Sequence, residues 1–326
     1  MTHRPRKEPL VWPSSLAYPR VNTAPIYEVA ADWPQRPAEL TWAAVSGCWV
    51  DEQDRVWLHT RATPSVQVFS AEGSHLFSWT GSRPGGAHHM KMDREGHVWL
   101  ADLAAHTVCQ YNRDGTLLRT LGTPGESGCD DQHLHAPTDM AFASNGDIFV
   151  SDGYGNARIM HYDRHGRLVK SWGSIGSGPG ELSLPHAIAI DSQDRIYVAD
   201  RNNVRIQIYD TDGRLLDSWA HVIVPWGFWI NADDELWVCG STPMHWGHDP
   251  DYPGFPLGCP PKDQVVMRFR SDGRILQTWS APKGQDGAEQ PGDLNWLHCL
   301  ALDSRGHLYC GDIEGRRLQK FQLKTA

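Results

Sequence analysis

Long apolar runs are missing from this sequence. No stretch approaches the roughly 18 apolar residues of a membrane span, so a membrane is not an expected partner. Paired cysteines are missing as well: the seven (Cys48, Cys109, Cys129, Cys239, Cys259, Cys299 and Cys310) form no Cys-x-x-Cys pair and no regular framework. No apolar segment follows the basic start Met1-Thr2-His3-Arg4-Pro5-Arg6-Lys7, so no secretory signal is visible. An odd cysteine count without such a signal gives reduced thiols and a cytoplasmic location as the expectation. Basic charge is also short. With 30 Lys and Arg against 39 Asp and Glu, the net charge of -9 disfavours nucleic acid, which requires a basic footprint. The signature of disorder is absent too, since 40% of residues are hydrophobic and 21% charged.

What is present is repetition. The length of 326 residues exceeds that of a usual single domain, but closed all-β architectures often run past about 200 residues as one unit. An alternating strand, a polar turn and a second strand ending near Asp recur in HHMKMDREGHVWLAD (88–102), PTDMAFASNGDIFVSD (137–152), PHAIAIDSQDRIYVAD (185–200) and LHCLALDSRGHLYCGD (297–312). Weaker copies are SGCWVDEQDRVWLHT (46–60) and WGFWINADDELWVCG (226–240). Third and fourth strands follow around Asp-Gly or His-Gly turns, as in IQIYDTDGRLLDSWA, and that dipeptide is a strong hairpin signal because a primed turn needs positive φ. Four strands per unit, six times over, predict an all-β, six-bladed β-propeller. Trp172, Trp219 and Trp279, near the ends of fourth strands, are expected to pack between blades.

The units are anchored at residues 46, 88, 138, 186, 226 and 298, and in each the second strand ends 14 residues later. The spacing between anchors runs from 40 to 72, and the largest excess is the Pro-, Gly-, His- and Trp-rich stretch 241–264, expected to be a long loop of blade five. Residues 1–24 are expected to be an irregular arm. Residues 25–326 form a single propeller domain, with 25–35 supplying the outer strand that closes the ring.

The anchor residues are Ser46, His88, Thr138, His186, Trp226 and His298. Innermost strands line the axis, so His88, His186 and His298, on alternate blades, lie about 120° apart by symmetry and converge on one point. Three imidazoles with a fourth position open form a catalytic rather than a structural arrangement for zinc, with iron as another candidate because imidazole discriminates weakly. Any single histidine among 17 is ordinarily a surface or satisfied core residue; that is the reading for His89, His106, His133, His135, His245 and His248, none of which shares the symmetry. Residues just beyond the second strands ring the same mouth: Arg61, Tyr154 and Arg201. Two guanidiniums suit a carboxylate-bearing small molecule, and a tyrosine beside cations is expected to have a lowered pKa and serve as a base. Arg201 also suits a blade-to-blade salt bridge, and Tyr154 a packing role.

The most specific stretches are His133-Leu134-His135-Ala136-Pro137-Thr138-Asp139, Ser151-Asp152-Gly153-Tyr154-Gly155-Asn156-Ala157-Arg158, Pro185-His186-Ala187-Ile188-Ala189 and Ala199-Asp200-Arg201-Asn202-Asn203. On these the chain, over roughly 40–323, resembles the peptidyl-α-hydroxyglycine α-amidating lyases, the lyase domain of peptidylglycine α-amidating monooxygenases, which are propellers of NHL-repeat type. The resemblance implies metal ligands at His88, His186 and His298, a catalytic tyrosine at Tyr154 and active-site arginines at Arg61 and Arg201. It also implies cleavage of the N–C bond of an α-hydroxyglycine, a carbinolamide, to an amide and glyoxylate. The chain departs from the family at Cys299, where the family's calcium-associated Asp stands, so calcium is not expected. It departs again at Gly155, in place of a family disulfide cysteine. His89 and Trp296 are bulky changes beside the site.

The leading expectation is therefore a metal-dependent carbon–nitrogen lyase. A metal-dependent propeller hydrolase or lactonase is the first alternative, although no Asp or Glu stands at an anchor position. A non-catalytic NHL binding scaffold is the second, although it has no need of three axial histidines.

Overall fold

A computed structural model describes residues 26–243 and 262–324 of the chain. The arm expected over 1–24 and most of the loop expected over 241–264, with His245 and His248, lie outside the described residues. The strands of the described residues form six four-stranded antiparallel sheets, so the six-bladed propeller holds. Sheet order follows chain order from the axis outwards in five blades. In the last blade the outermost strand is Tyr27–Val29, paired with Arg317–Leu323, with Tyr27 opposite Leu323 and Val29 opposite Phe321. The ring thus closes on the segment expected to close it. Among the described residues no helix is long and apolar enough to cross a membrane.

The innermost strands are Val45–Val50, Ala87–Met92, Asp139–Phe142, Pro185–Ile190, Val224–Ile230 and Leu297–Leu302. Second strands end at residues 60, 102, 152, 200 and 312 as expected, and in blade five one residue later, at Ser241. Five of the six innermost strands carry a register shift at their first residues: Val45/Gly47, Ala87/Met90, Pro185/Ile188, Pro225/Gly227 and Leu297/Cys299. A bulge leaves a residue outside the ladder and bends the strand, so side chains at the mouth escape strict alternation.

The apolar core is divided into clusters seated between neighbouring blades, because each twisted sheet buries its faces against the next. Trp57, Val68, Leu100 and Tyr111 join blades one and two, and Ala199, Ile208, Phe228 and Val238 join blades four and five. The tryptophans expected to pack between blades do so. Trp172 lies 5.9 Å from Tyr209 of blade four, Trp219 5.5 Å from Phe269 of blade five, and Trp279 5.6 Å from Phe321 of blade six. The turn at Asp212-Gly213 fits this packing: Gly213 has φ +75°, and a Cβ there would lie 2.8 Å from the Trp172 indole.

Candidate metal centre

His88, His186 and His298 meet on the axis. Their ring centroids form a near-equilateral triangle with sides of 4.8, 4.8 and 4.9 Å, and all three are buried. Each uses Nδ1 in the same way. His88 donates to the Thr138 carbonyl (2.5 Å), His186 to that of Trp226 (2.6 Å) and His298 to that of Ser46 (2.8 Å). The acceptors are the three remaining anchor residues, so histidine and carbonyl alternate around the channel. A carbonyl only accepts, so Nδ1 carries the hydrogen and Nε2 presents its lone pair to the axis. Burial, and then the neighbouring imidazoles, hold all three well below the usual histidine range, so they are neutral. The Nε2 atoms of His88 and His298 are buried without a hydrogen-bond partner among the described residues. Neutral, oriented imidazoles with orphaned Nε2 atoms and carbonyls fixing Nδ1 fit the needs of a divalent transition metal.

The loops carrying Tyr154 and Arg201 are clamped by buried carboxylates at the ends of second strands. Asp152 accepts from the His135 amide (2.8 Å), Asn156 Nδ2 (2.7 Å) and Arg158 Nε (2.9 Å). Asp200 accepts from the Ser183 amide (2.6 Å), Asn203 Nδ2 (2.9 Å) and Arg205 Nε (2.7 Å). Both aspartates are 0% exposed, so the pairing offsets a large desolvation cost and fixes the loop that starts one residue on. Gly155 belongs to this clamp, because a Cβ there would lie 2.0 Å from the ring of His135. The space of a side chain is taken by an imidazole.

Tyr154, Arg61 and Arg201 gather at the mouth above the triangle. The Tyr154 hydroxyl donates to Nε2 of His186 at 3.1 Å, and its ring lies 5.5 Å from that of His88. Arg61 donates to the Ala87 carbonyl (3.3 Å), and the Arg201 guanidinium lies 5.8 Å from the Trp226 ring, which itself stacks on Trp296 at 4.9 Å. The lowered tyrosine pKa expected from the arginines is not what the structure gives. Burial is the largest influence and raises the phenol above its usual value, while Arg201 and Arg61 pull it down less. The residue as a whole is 42% exposed, whereas its hydroxyl end rests against His186. Tyr154 is therefore a protonated phenol.

His89 was expected to be an ordinary surface or satisfied core histidine, although a bulky one beside the site. The structure instead buries it on the axis, 4.7 Å from His88, 4.9 Å from His298 and 5.6 Å from His186 between ring centroids. Its Nδ1 shares the Thr138 carbonyl (3.2 Å), and its Nε2 has no partner among the described residues. The sequence signal was the adjacency of His88 and His89, which the structure places at a bulge. Two other residues went unnoticed. Lys91 reaches Asp139 at 2.7 Å and the Ile188 carbonyl, forming a buried ion pair deeper in the channel. His59 donates to the His88 carbonyl (3.1 Å) and pairs with Ser82 (2.8 Å), with burial pushing it down to about 3. His106, His133 and His135 sit in loops off the axis; His106 Nδ1 accepts from the Ala136 amide and His133 pairs with Asp130.

A cavity of about 440 Å³ beside Arg61 opens between Ala44 and Ile313. Another of about 370 Å³, lined by Lys91, Trp49 and Trp229, sits at the opposite mouth, where the innermost strands end. None of the axial histidines lines it, and cavity size is no guide to the chemistry here.

These features define a class: a six-bladed propeller with histidines and charged groups converging at one end of its axis. The chain belongs to the NHL-repeat family. Residues 182–209 match the NHL repeat, and mouse NHL repeat-containing protein 3 is 30% identical over 317 residues, 91% of this chain and 84% of that protein. Similarity extends to the amidating enzymes. The rat peptidylglycine alpha-amidating monooxygenase is 36% identical over 148 residues, and fruit-fly peptidyl-alpha-hydroxyglycine alpha-amidating lyase 1 is 36% identical over 128 residues. Those matches cover 43% and 36% of this chain but only 14% and 24% of the respective relatives. Among solved structures, a streptogramin B lyase superposes with a TM-score of 0.60 over 87% of this chain and 95% of its own, at 14% identity, a likeness of fold alone.

Proposed function

We propose that this end of the channel is the active site of a metal-dependent carbon–nitrogen lyase acting on a carboxylate-bearing carbinolamide of α-hydroxyglycine type. The observation that carries the reading is the Tyr154 hydroxyl at 3.1 Å from a neutral, axis-facing histidine that belongs to a buried triangle with orphaned nitrogens. The partial similarity to amidating lyases adds support. His88, His186 and His298 would hold the ion, zinc or iron, which supplies Lewis-acid polarisation of the substrate hydroxyl.

Arg61 and Arg201 bind the carboxylate by charge-assisted hydrogen bonds and so orient the carbinol carbon towards Tyr154. With its phenol held protonated, Tyr154 donates from its hydroxyl to the amide nitrogen as the N–C bond breaks. The electron pair of the carbinol O–H bond forms the new carbonyl, and the phenolate recovers that proton. The products are an amide and glyoxylate, with no net gain or loss of protons. The tyrosine is thus a proton carrier that starts as an acid, not a free base. The test is glyoxylate release from an N-acyl-α-hydroxyglycine by metal-loaded protein, with His186→Ala as control. Stoichiometric metal without any release would remove the lyase reading.

A further inference from the structure

The four axial rings, and not only the symmetric three, have the geometry of a coordination shell. The triangle of His88, His186 and His298 has sides of 4.8, 4.8 and 4.9 Å, and His89 stands 4.7, 4.9 and 5.6 Å from its corners. The four centroids therefore form a nearly regular tetrahedron. A tetrahedral ion bonded to four imidazoles at about 2.0–2.1 Å places ring centroids roughly 5 Å apart. His88, His89 and His186 already bring ligand nitrogens within 4.8 Å of one another. This trio differs from the symmetric one by the exchange of His89 for His298. His298 stands outside that trio, and its place in the shell is assigned from its ring, which lies 4.8, 4.9 and 4.9 Å from those of His88, His89 and His186.

Two further observations point the same way. His89 Nε2 is buried and unpartnered, in a residue only 5% exposed, which is the condition a protein avoids unless something else satisfies the atom. Its Nδ1 shares, at 3.2 Å, the Thr138 carbonyl that also holds His88, an arrangement that favours the tautomer with the lone pair on Nε2. The ring enters from the inner side. Asp139 and Lys91 are the charges that act on His89, whereas Arg61 acts on His186 and His298. The bulge between Ala87 and Met90 lets two consecutive residues reach the axis.

We infer that His89 is a fourth imidazole ligand, closing the centre from the inside and leaving only the face towards Tyr154 and the arginines open. The inference rests on the metal reading given above and adds to it. Four nitrogens plus an open face call for an ion that accepts a fifth ligand, which first-row ions favoured by imidazole do.

The test is reconstitution of the full chain with Co²⁺, comparing wild type, His89→Ala and His186→Ala by visible d–d absorption, by X-ray absorption counting of nitrogen ligands and by competition affinity. Circular dichroism checks folding, and His89→Gln replaces the alanine variant if that one fails to fold. The expected result is one ion with four imidazole nitrogens in wild type. His89→Ala should retain three, with an altered spectrum and an affinity loss beyond the roughly 10–100-fold of an outer partner. Wild-type protein that loads cobalt, with His89 variants unchanged in spectrum and affinity, would overturn the fourth ligand while leaving the three-histidine reading intact. Failure of wild type to bind cobalt would overturn both.

Discussion

The Tyr154 hydroxyl lies 3.1 Å from Nε2 of His186, joining a titratable hydroxyl at the mouth to an axial histidine. Burial holds the phenol protonated, and once His186 Nε2 is taken by an ion the hydroxyl is released to give its proton to substrate. Removing the hydroxyl should leave the histidines undisturbed. Tyr154→Phe is expected to keep full metal stoichiometry and to lower kcat by about 10²–10⁴-fold, the usual worth of a positioned acid–base group. Metal analysis beside glyoxylate release checks this, and unaltered turnover would take Tyr154 out of the mechanism.

The buried histidines make an acid-stability prediction. His59, His88, His89, His186 and His298 are all held below the ordinary value of 6.5 by burial. In the unfolded chain they take up protons near pH 6.5, while in the fold they do so only at lower pH. The unfolded state therefore binds more protons in that window, and stability falls as pH drops below about 6.5. Each extra proton is worth roughly 1.4 kcal/mol per pH unit. Denaturant titrations of metal-free protein between pH 7.5 and 5.5 should show several protons taken up on unfolding. A stability flat across that range would contradict the neutral assignment.

Asp200 organises the loop that presents Arg201. Asp200→Ala strands Arg205, whose partner it is, and removes the acceptor of the Ser183 amide. Loss of one member of a buried pair costs about 3–5 kcal/mol, read as a lowered urea midpoint. A change under about 1 kcal/mol would show that the carbonyls around Arg205 suffice alone.

Gly155→Ala places a methyl group where the His135 ring stands. Overpacking of this kind costs about 1–3 kcal/mol. The double variant with His135→Ala should recover most of that loss in a double-mutant cycle. Additive losses would mean that the strain lies in the backbone instead.

Much of this molecule was legible in the sequence. The repeat fixed the blade count, the strand boundaries and the closing segment, because alternation and Asp-Gly turns report on the chain locally. The triangle of His88, His186 and His298 followed, since symmetry relates equivalent positions without any knowledge of contacts. His89 was placed beside the site but not on the axis, because strict alternation sends neighbouring side chains to opposite faces and the bulge at Ala87/Met90 suspends that rule. The phenol's direction was missed for another reason. A sequence shows which charges come near Tyr154, but the burial that outweighs them is a product of the whole mouth.

The central claim is the metal centre, and elemental analysis of the full chain beside a variant with His88→Ala, His186→Ala and His298→Ala tests it most directly. The account predicts about one divalent transition-metal ion per wild-type chain and none in the folded variant. Wild-type protein that takes up no zinc, iron or cobalt on reconstitution, or a variant that keeps a full complement, would contradict it.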